Sequence, residues 1–109
     1  MSSVRLLEHT RRFLEEPLLG EQDLDTKVYL LLEAEYLRRL RQYRRADYLL
    51  GQKYEMTFDE FTARRVAQRE EYTWDVETDA MDWETAVGGI KTMKRKIKEL
   101  RESRRAHYR

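Results

Sequence analysis

The stretch TWDVETDAMDWETAVGGIKTMKRKIKEL, residues 73–100, decides the fold. Val76, Ala80, Trp83, Val87, Ile90 and Ile97 recur at the three- and four-residue spacings that keep a seam on one face of a helix, as in a coiled coil. Charge is split along the same stretch. From Glu70 to Glu84 there are seven acidic side chains and no basic one; from Lys91 to Arg109 there are nine basic and two acidic. An acidic start and a basic end suit the dipole of a single helix, whose N-terminus favours anions and whose C-terminus favours cations. They also suit an oppositely oriented partner, because parallel docking would set like charge against like. The reading is therefore a long C-terminal helix in a binding or assembly protein.

Upstream, breaks are few. One proline and four glycines in 109 residues leave little to interrupt helices. A short first helix is expected over Ser3–Glu16, with Leu6, Leu7, Phe13 and Leu14 gathered at helical spacing and Pro17 to Gly20 marking its end. Asp23 or Asp25 can cap a long second helix, in which Val28, Leu31, Leu32, Tyr36, Leu40, Tyr43 and Leu50 sustain an apolar stripe and Gly51 supplies a left-handed close. Thr57-Phe58-Asp59-Glu60 has the form of a capping box, with Met56 placed to pack on Phe61. A third helix follows from about Phe58 to Arg69, burying Phe58, Phe61, the Arg65 methylenes and Val66. Thr73 caps the last helix. Gly88-Gly89 costs that helix roughly 2 kcal/mol relative to alanine, which implies a bend or a close approach by a neighbouring backbone.

The expected architecture is all-α: a hairpin or bundle of about four helices with a long C-terminal helix, completed by oligomerisation. One domain spans residues 1–109, with an N-terminal helix and turn over 1–22, core helices over 23–100 and a basic tail over 101–109. Charged residues make up 39% of the chain and hydrophobic ones 40%, which favours helices with much exposed surface. With a net charge of +1, any electrostatic recognition rests on local blocks. There is no cysteine, no secretory leader pattern and no apolar run long enough to span a bilayer, so a cytoplasmic protein without membrane association is expected.

Reaction chemistry finds little to build on. His9 and His107 stand at opposite ends, and serine is limited to Ser2, Ser3 and Ser103, so neither a zinc site nor a serine–histidine–acid arrangement is expected. No cofactor is expected. The one conceivable metal set is Asp75, Asp79 and Asp82, whose spacing puts three carboxylates on a shared face within reach of a hard ion such as Mg²⁺. Helical nucleotide pyrophosphohydrolases use acidic helices in this manner. Glu70-Glu71 resembles their paired glutamates, yet the further acids do not follow at the family spacing, and a solvated acidic face explains these residues with fewer assumptions. Arg38, Arg39, Arg41, Arg44 and Arg45, interleaved with Tyr36, Tyr43 and Tyr48, offer an alternative surface for nucleic acid. Glu33, Glu35 and Asp47 are placed to pair with those arginines instead.

Aromatic residues Tyr54, Phe58, Phe61, Tyr72, Trp74 and Trp83 most simply form the main core. If the seam faces another chain, Trp83 is its anchor, since a tryptophan ring buries a large area with little entropy loss.

Lys53-Tyr54-Glu55-Met56-Thr57-Phe58-Asp59-Glu60-Phe61, followed by Tyr72 through Glu84, resembles small helical bacterial and archaeal proteins encoded beside toxin-like genes and regarded as antitoxin-like. The resemblance covers roughly residues 30–100. Where such proteins commonly have glycine between the tyrosine and the methionine, this chain has Glu55. The resemblance implies a non-enzymatic binding role, in which Trp74, Glu77, Asp79, Trp83 and Glu84 of an acidic helix cover a basic, nuclease-like partner. The residues themselves add a homodimer expectation: Val76, Ala80, Val87, Ile90 and Ile97 form the oligomer seam, and Glu77, Asp79 and Glu84 face Lys94, Arg95, Lys98 and Arg101 of a second copy.

Overall fold

A computed structural model describes residues 5–17, 20, 22–67 and 73–107, with side chains over 5–17, 20, 22–64 and 73–106. The Glu70-Glu71 pair, Tyr72 and the expected helix end at Arg69 lie outside the described residues, as do the side chains of Arg65, Val66 and His107. Among the described residues the chain is all-α, with four helices: α1 (Glu8–Glu15), α2 (Leu24–Tyr54), α3 (Phe58–Ala67) and α4 (Trp74–His107). No helix among them is long and apolar enough to cross a membrane.

The chain divides into two compact units, Met1–Ala34 and Glu35–Arg109, with the division inside α2. In the first unit α1 is shorter than the expected Ser3–Glu16. Leu7, not a polar cap, precedes it, and Pro17 disfavours helical backbone at Glu16, which is extended (φ −64°, ψ 143°). Of the four apolar residues expected to gather there, Leu14 is buried, whereas Leu7 and Phe13 are each 66% exposed. Lys27 is buried as well and donates from Nζ to the Leu14 carbonyl at 2.6 Å, satisfying an oxygen that the end of α1 leaves unpaired. Asp23 rather than Asp25 caps α2, accepting from the Thr26 N–H at 2.7 Å. The apolar stripe expected along α2 is not buried in this unit: Val28, Leu31 and Leu32 remain exposed, because the eight-residue α1 offers little surface to cover them.

In the second unit the stripe is buried. Leu40 packs with Met93 and Ile97, flanked by Tyr36, Leu37, Tyr43 and Ile90. Further along, Phe61, Ala80 and Trp83 are enclosed by Leu50, Tyr54, Met56, Phe58, Val76 and Val87. Residue numbers on α4 fall as those on α2 rise, from Leu40 beside Ile97 through Tyr43 beside Gly89 to Lys53 beside Asp79, so the two helices run antiparallel. Phe58 and Phe61 of α3 close over Trp83.

The connection between α2 and α3 corrects one expectation. Gly51 lies inside α2, and the left-handed residue is Glu55, at φ 55°. The Met56 N–H reaches back to the Gly51 carbonyl at 3.2 Å, a six-to-one bond of the kind that ends a helix after a left-handed residue. Left-handed backbone favours glycine, and Glu55 holds this geometry under strain. Thr57 then caps α3 through Oγ1, accepting from the Glu60 N–H at 3.2 Å, and Thr73 caps α4 by accepting from the Val76 N–H at 3.3 Å.

Helix α4 continues through Gly88-Gly89, and the two glycines differ. A Cβ at Gly89 would stand 2.5 Å from Cδ2 and Cε2 of Tyr43, whereas one at Gly88 would meet nothing within 4 Å. The approach foreseen there is made by a ring, not by a backbone. Gly88→Ala is expected to stabilise the protein by about 1 kcal/mol through helix propensity, and Gly89→Ala to destabilise it by about 1–2 kcal/mol net through overpacking on Tyr43. Thermal melts of the two variants check this, and equal shifts would contradict it. Glu55→Gly should raise the melting temperature, gaining about 0.5–1 kcal/mol by relieving the left-handed penalty.

Candidate functional site

The inner face of α4 is committed to its own chain. Ala80 and Ile97 are buried against α2 and α3, and Val76, Val87 and Ile90 pack onto the same two clusters. The expected oligomer seam is therefore intramolecular. Its periodicity reports an apolar face correctly but carries no information about which chain covers it. Trp83, expected as the anchor of a partner surface, is 0% exposed. Its ring lies 5.0 Å from Phe61, 5.6 Å from Phe58 and 5.9 Å from Tyr54, centroid to centroid, and its Nε1 donates to Asp47 Oδ1 at 2.7 Å. A ring so enclosed has no face left for a partner.

Asp79 is also engaged within the chain. Lys53 Nζ and the Tyr54 hydroxyl both donate to Oδ2, at 2.5 and 2.6 Å. These two hydrogen bonds, from Lys53 first and Tyr54 second, hold the Asp79 carboxyl below its ordinary value. Burial, and after it the hydrogen bond to Asp79, pushes the Tyr54 hydroxyl up to about 12. Asp75 and Asp82 are exposed, and among the described residues no group of three potential ligands is placed to hold a metal ion. The conceived Asp75–Asp79–Asp82 set thus has its middle carboxylate turned to a lysine and a tyrosine.

What remains outside is a different stripe. Trp74 is 81% exposed and Met81 67%, although Trp74 was among the aromatics expected in the core. Glu77 and Glu84 are exposed beside them, and these four positions follow one another at helical spacing on the face turned away from the buried seam. An acidic rim around two large apolar side chains is what the first half of α4 presents to solvent.

The arginine cluster of α2 divides as well. Glu35 binds Arg38 at 2.6 Å and Arg39 at 2.9 Å, and those two hydrogen bonds hold its carboxyl down at about 2. Arg41, Arg44 and Arg45 are exposed near Tyr48, which is 64% exposed; Tyr36 and Tyr43 are packed against the core instead. Asp47, expected to pair with arginine, serves Trp83. Farther along α4, Arg95 and Lys96 pair with Glu99, at 3.7 and 3.0 Å. A groove of about 370 Å³ lies between α2 and α4, floored by Leu37, Leu40 and Ile97. Lys94, Lys98, Arg101 and Arg105 line it, with Glu102 as the one acid.

No protein-family model matches the chain, and no curated protein or solved structure shows significant similarity to it.

The Lys53–Tyr54–Asp79 cluster has a defined pH signature. The Asp79 contribution is present above the ordinary carboxylate range and lost as pH falls through its lowered value; the Tyr54 contribution is present below its ordinary value near 10 and lost as pH rises through about 12. Asp79→Asn should cost on the order of 1 kcal/mol at neutral pH and lower the Tyr54 ionisation without returning it fully to the ordinary value, because burial is the larger cause. Ultraviolet absorbance titration of tyrosinate in the two proteins measures it. An unchanged Tyr54 titration would exclude the coupling.

Proposed function

We propose that this chain is a non-enzymatic protein-interaction module, antitoxin-like in the sense of the resemblance above, which binds a basic partner through the outer face of the first half of α4. The observation that carries the reading is the exposure of Trp74 and Met81 beside the exposed Glu77 and Glu84. Exposed large apolar residues rimmed by charge are characteristic of binding surfaces, and tryptophan is enriched among residues that dominate binding energy. Acids around such an anchor steer a basic partner and disfavour an acidic one. Relative to the expectation from sequence, the anchor moves from Trp83 to Trp74, and Asp79 leaves the surface for an internal role.

Nucleic-acid binding is a second reading, favoured by one observation: Arg41, Arg44, Arg45 and Tyr48 are all exposed, at spacings that place them together on α2. Mobility of short DNA and RNA probes at low salt tests it. Retardation that disappears in an Arg41→Ala, Arg44→Ala, Arg45→Ala variant would support this reading.

The main reading is tested by co-expression with the product of the neighbouring reading frame and purification of the complex. Trp74→Ala combined with Glu77→Lys should weaken the complex by at least about tenfold while leaving the melting temperature within a few degrees, since both residues are exposed. A complex indifferent to those substitutions would remove the Trp74 face from the interface.

A further inference from the structure

The groove between α2 and α4 is the counterpart of the surface just described. Its floor is apolar, with Leu40 and Ile97 only 7% and 6% exposed, and its lining carries four cations against one acid. Lys94 and Arg101 are separated by seven residues, as are Lys98 and Arg105; so are Glu77 and Glu84, and so are Trp74 and Met81. On a helix each of these intervals is two turns, about 10.5 Å. An acidic helix carrying two apolar side chains thus repeats with the same rise as the basic residues of the groove.

We propose that the groove lined by Lys94, Lys98, Arg101 and Arg105 receives the Trp74–Glu84 face of a second copy of this chain, forming an antiparallel, charge-paired dimer. The occupant cannot come from the same chain. Trp74 and Lys94 lie on one uninterrupted helix, twenty residues apart, so about 30 Å of α4 holds them apart. Each copy carries both an acidic apolar face and a basic apolar groove, so a two-fold arrangement satisfies both at once and closes the assembly. The charge pairing keeps the one expected from sequence between Glu77 and Glu84 and the basic half of a second copy; the apolar contact is different, because the expected seam residues are packed inside each chain and Trp74 and Met81 take their place. The proposal rests on the reading of the Trp74 face as a binding surface and names one partner for it. It also makes the dimer and the complex with a basic partner compete for the same residues.

Sedimentation of the full chain at tens of micromolar, in low and high salt, gives the first result: a dimer at low salt that weakens as salt screens the charges. Two charge-reversed variants then decide the geometry. Lys98→Glu with Arg105→Glu reverses the groove, and Glu77→Lys with Glu84→Lys reverses the face. Each variant alone should self-associate at least about tenfold more weakly, and their equimolar mixture should recover dimerisation, since one contact of the mixed pair is the unaltered face and groove and in the other the reversed charges oppose each other. Trp74→Ser, which leaves charge unchanged, should weaken dimerisation at both salt concentrations. Circular dichroism of each variant confirms the helices. A monomeric wild type at low salt, or a mixture that does not recover, would overturn the dimer; if Trp74→Ala with Glu77→Lys still abolishes binding to the co-expressed partner, the reading of the face survives that failure. Loss of both would remove the face and the groove together.

Discussion

Burial of the Trp83 indole is the constraint around which the second unit is arranged. A ring of that size needs side chains on every side and a partner for its one N–H. Here α2 supplies both Tyr54 and the Asp47 carboxylate, while α3 supplies Phe58 and Phe61. Three helices therefore meet because one side chain requires all of them. Replacing such a ring by alanine typically costs about 3–5 kcal/mol, a large part of the stability of a small domain. Asp47 is equally bound to the arrangement: moved away from Trp83, it would leave a buried donor unpaired.

This commitment divides α4 lengthwise as well as end to end. Its inner face holds the chain together, and its outer face stays exposed. Charge is divided along the length, so the acidic half has Trp74 and Met81 on its outer face while the basic half lines a groove with α2. Two surfaces of opposite sign on one rigid element cannot meet each other within a chain. Their separation is fixed by helical rise alone.

The helices and their caps were legible in the sequence because they depend on local chemistry. Asp23, Thr57 and Thr73 each have an oxygen three residues before the N–H that it accepts from, and a reader needs nothing beyond the order of residues to find them. The helix end at Glu55 was not legible, since a glutamate in left-handed backbone has no signature and Gly51 gave a false one. The seam was found but assigned to a second chain, because periodicity reveals an apolar face and not its cover. Trp83 stands in the seam series and Trp74 outside it, yet both read as core aromatics and as partner contacts; the antiparallel register of α2 and α4 shows that Trp83 meets Asp47, while Trp74 stays exposed. The same register is the missing signal for Tyr43 over Gly89 and for Lys53 and Tyr54 on Asp79.

The α2–α4 pairing also ranks its contacts by the length of chain that each one closes. Lys53 and Asp79 are 26 residues apart, Asp47 and Trp83 are 36 apart, and Leu40 and Ile97, by subtraction, are 57 apart. Closure entropy rises with loop length, so contacts beside α3 form at the least entropic cost, and each one shortens the loop that the next must close. The hairpin is thereby ordered like a zipper that starts at the Trp83 cluster, passes Tyr43 and Gly89, and finishes at Leu40 and Ile97. The last teeth to engage are those that floor the basic groove.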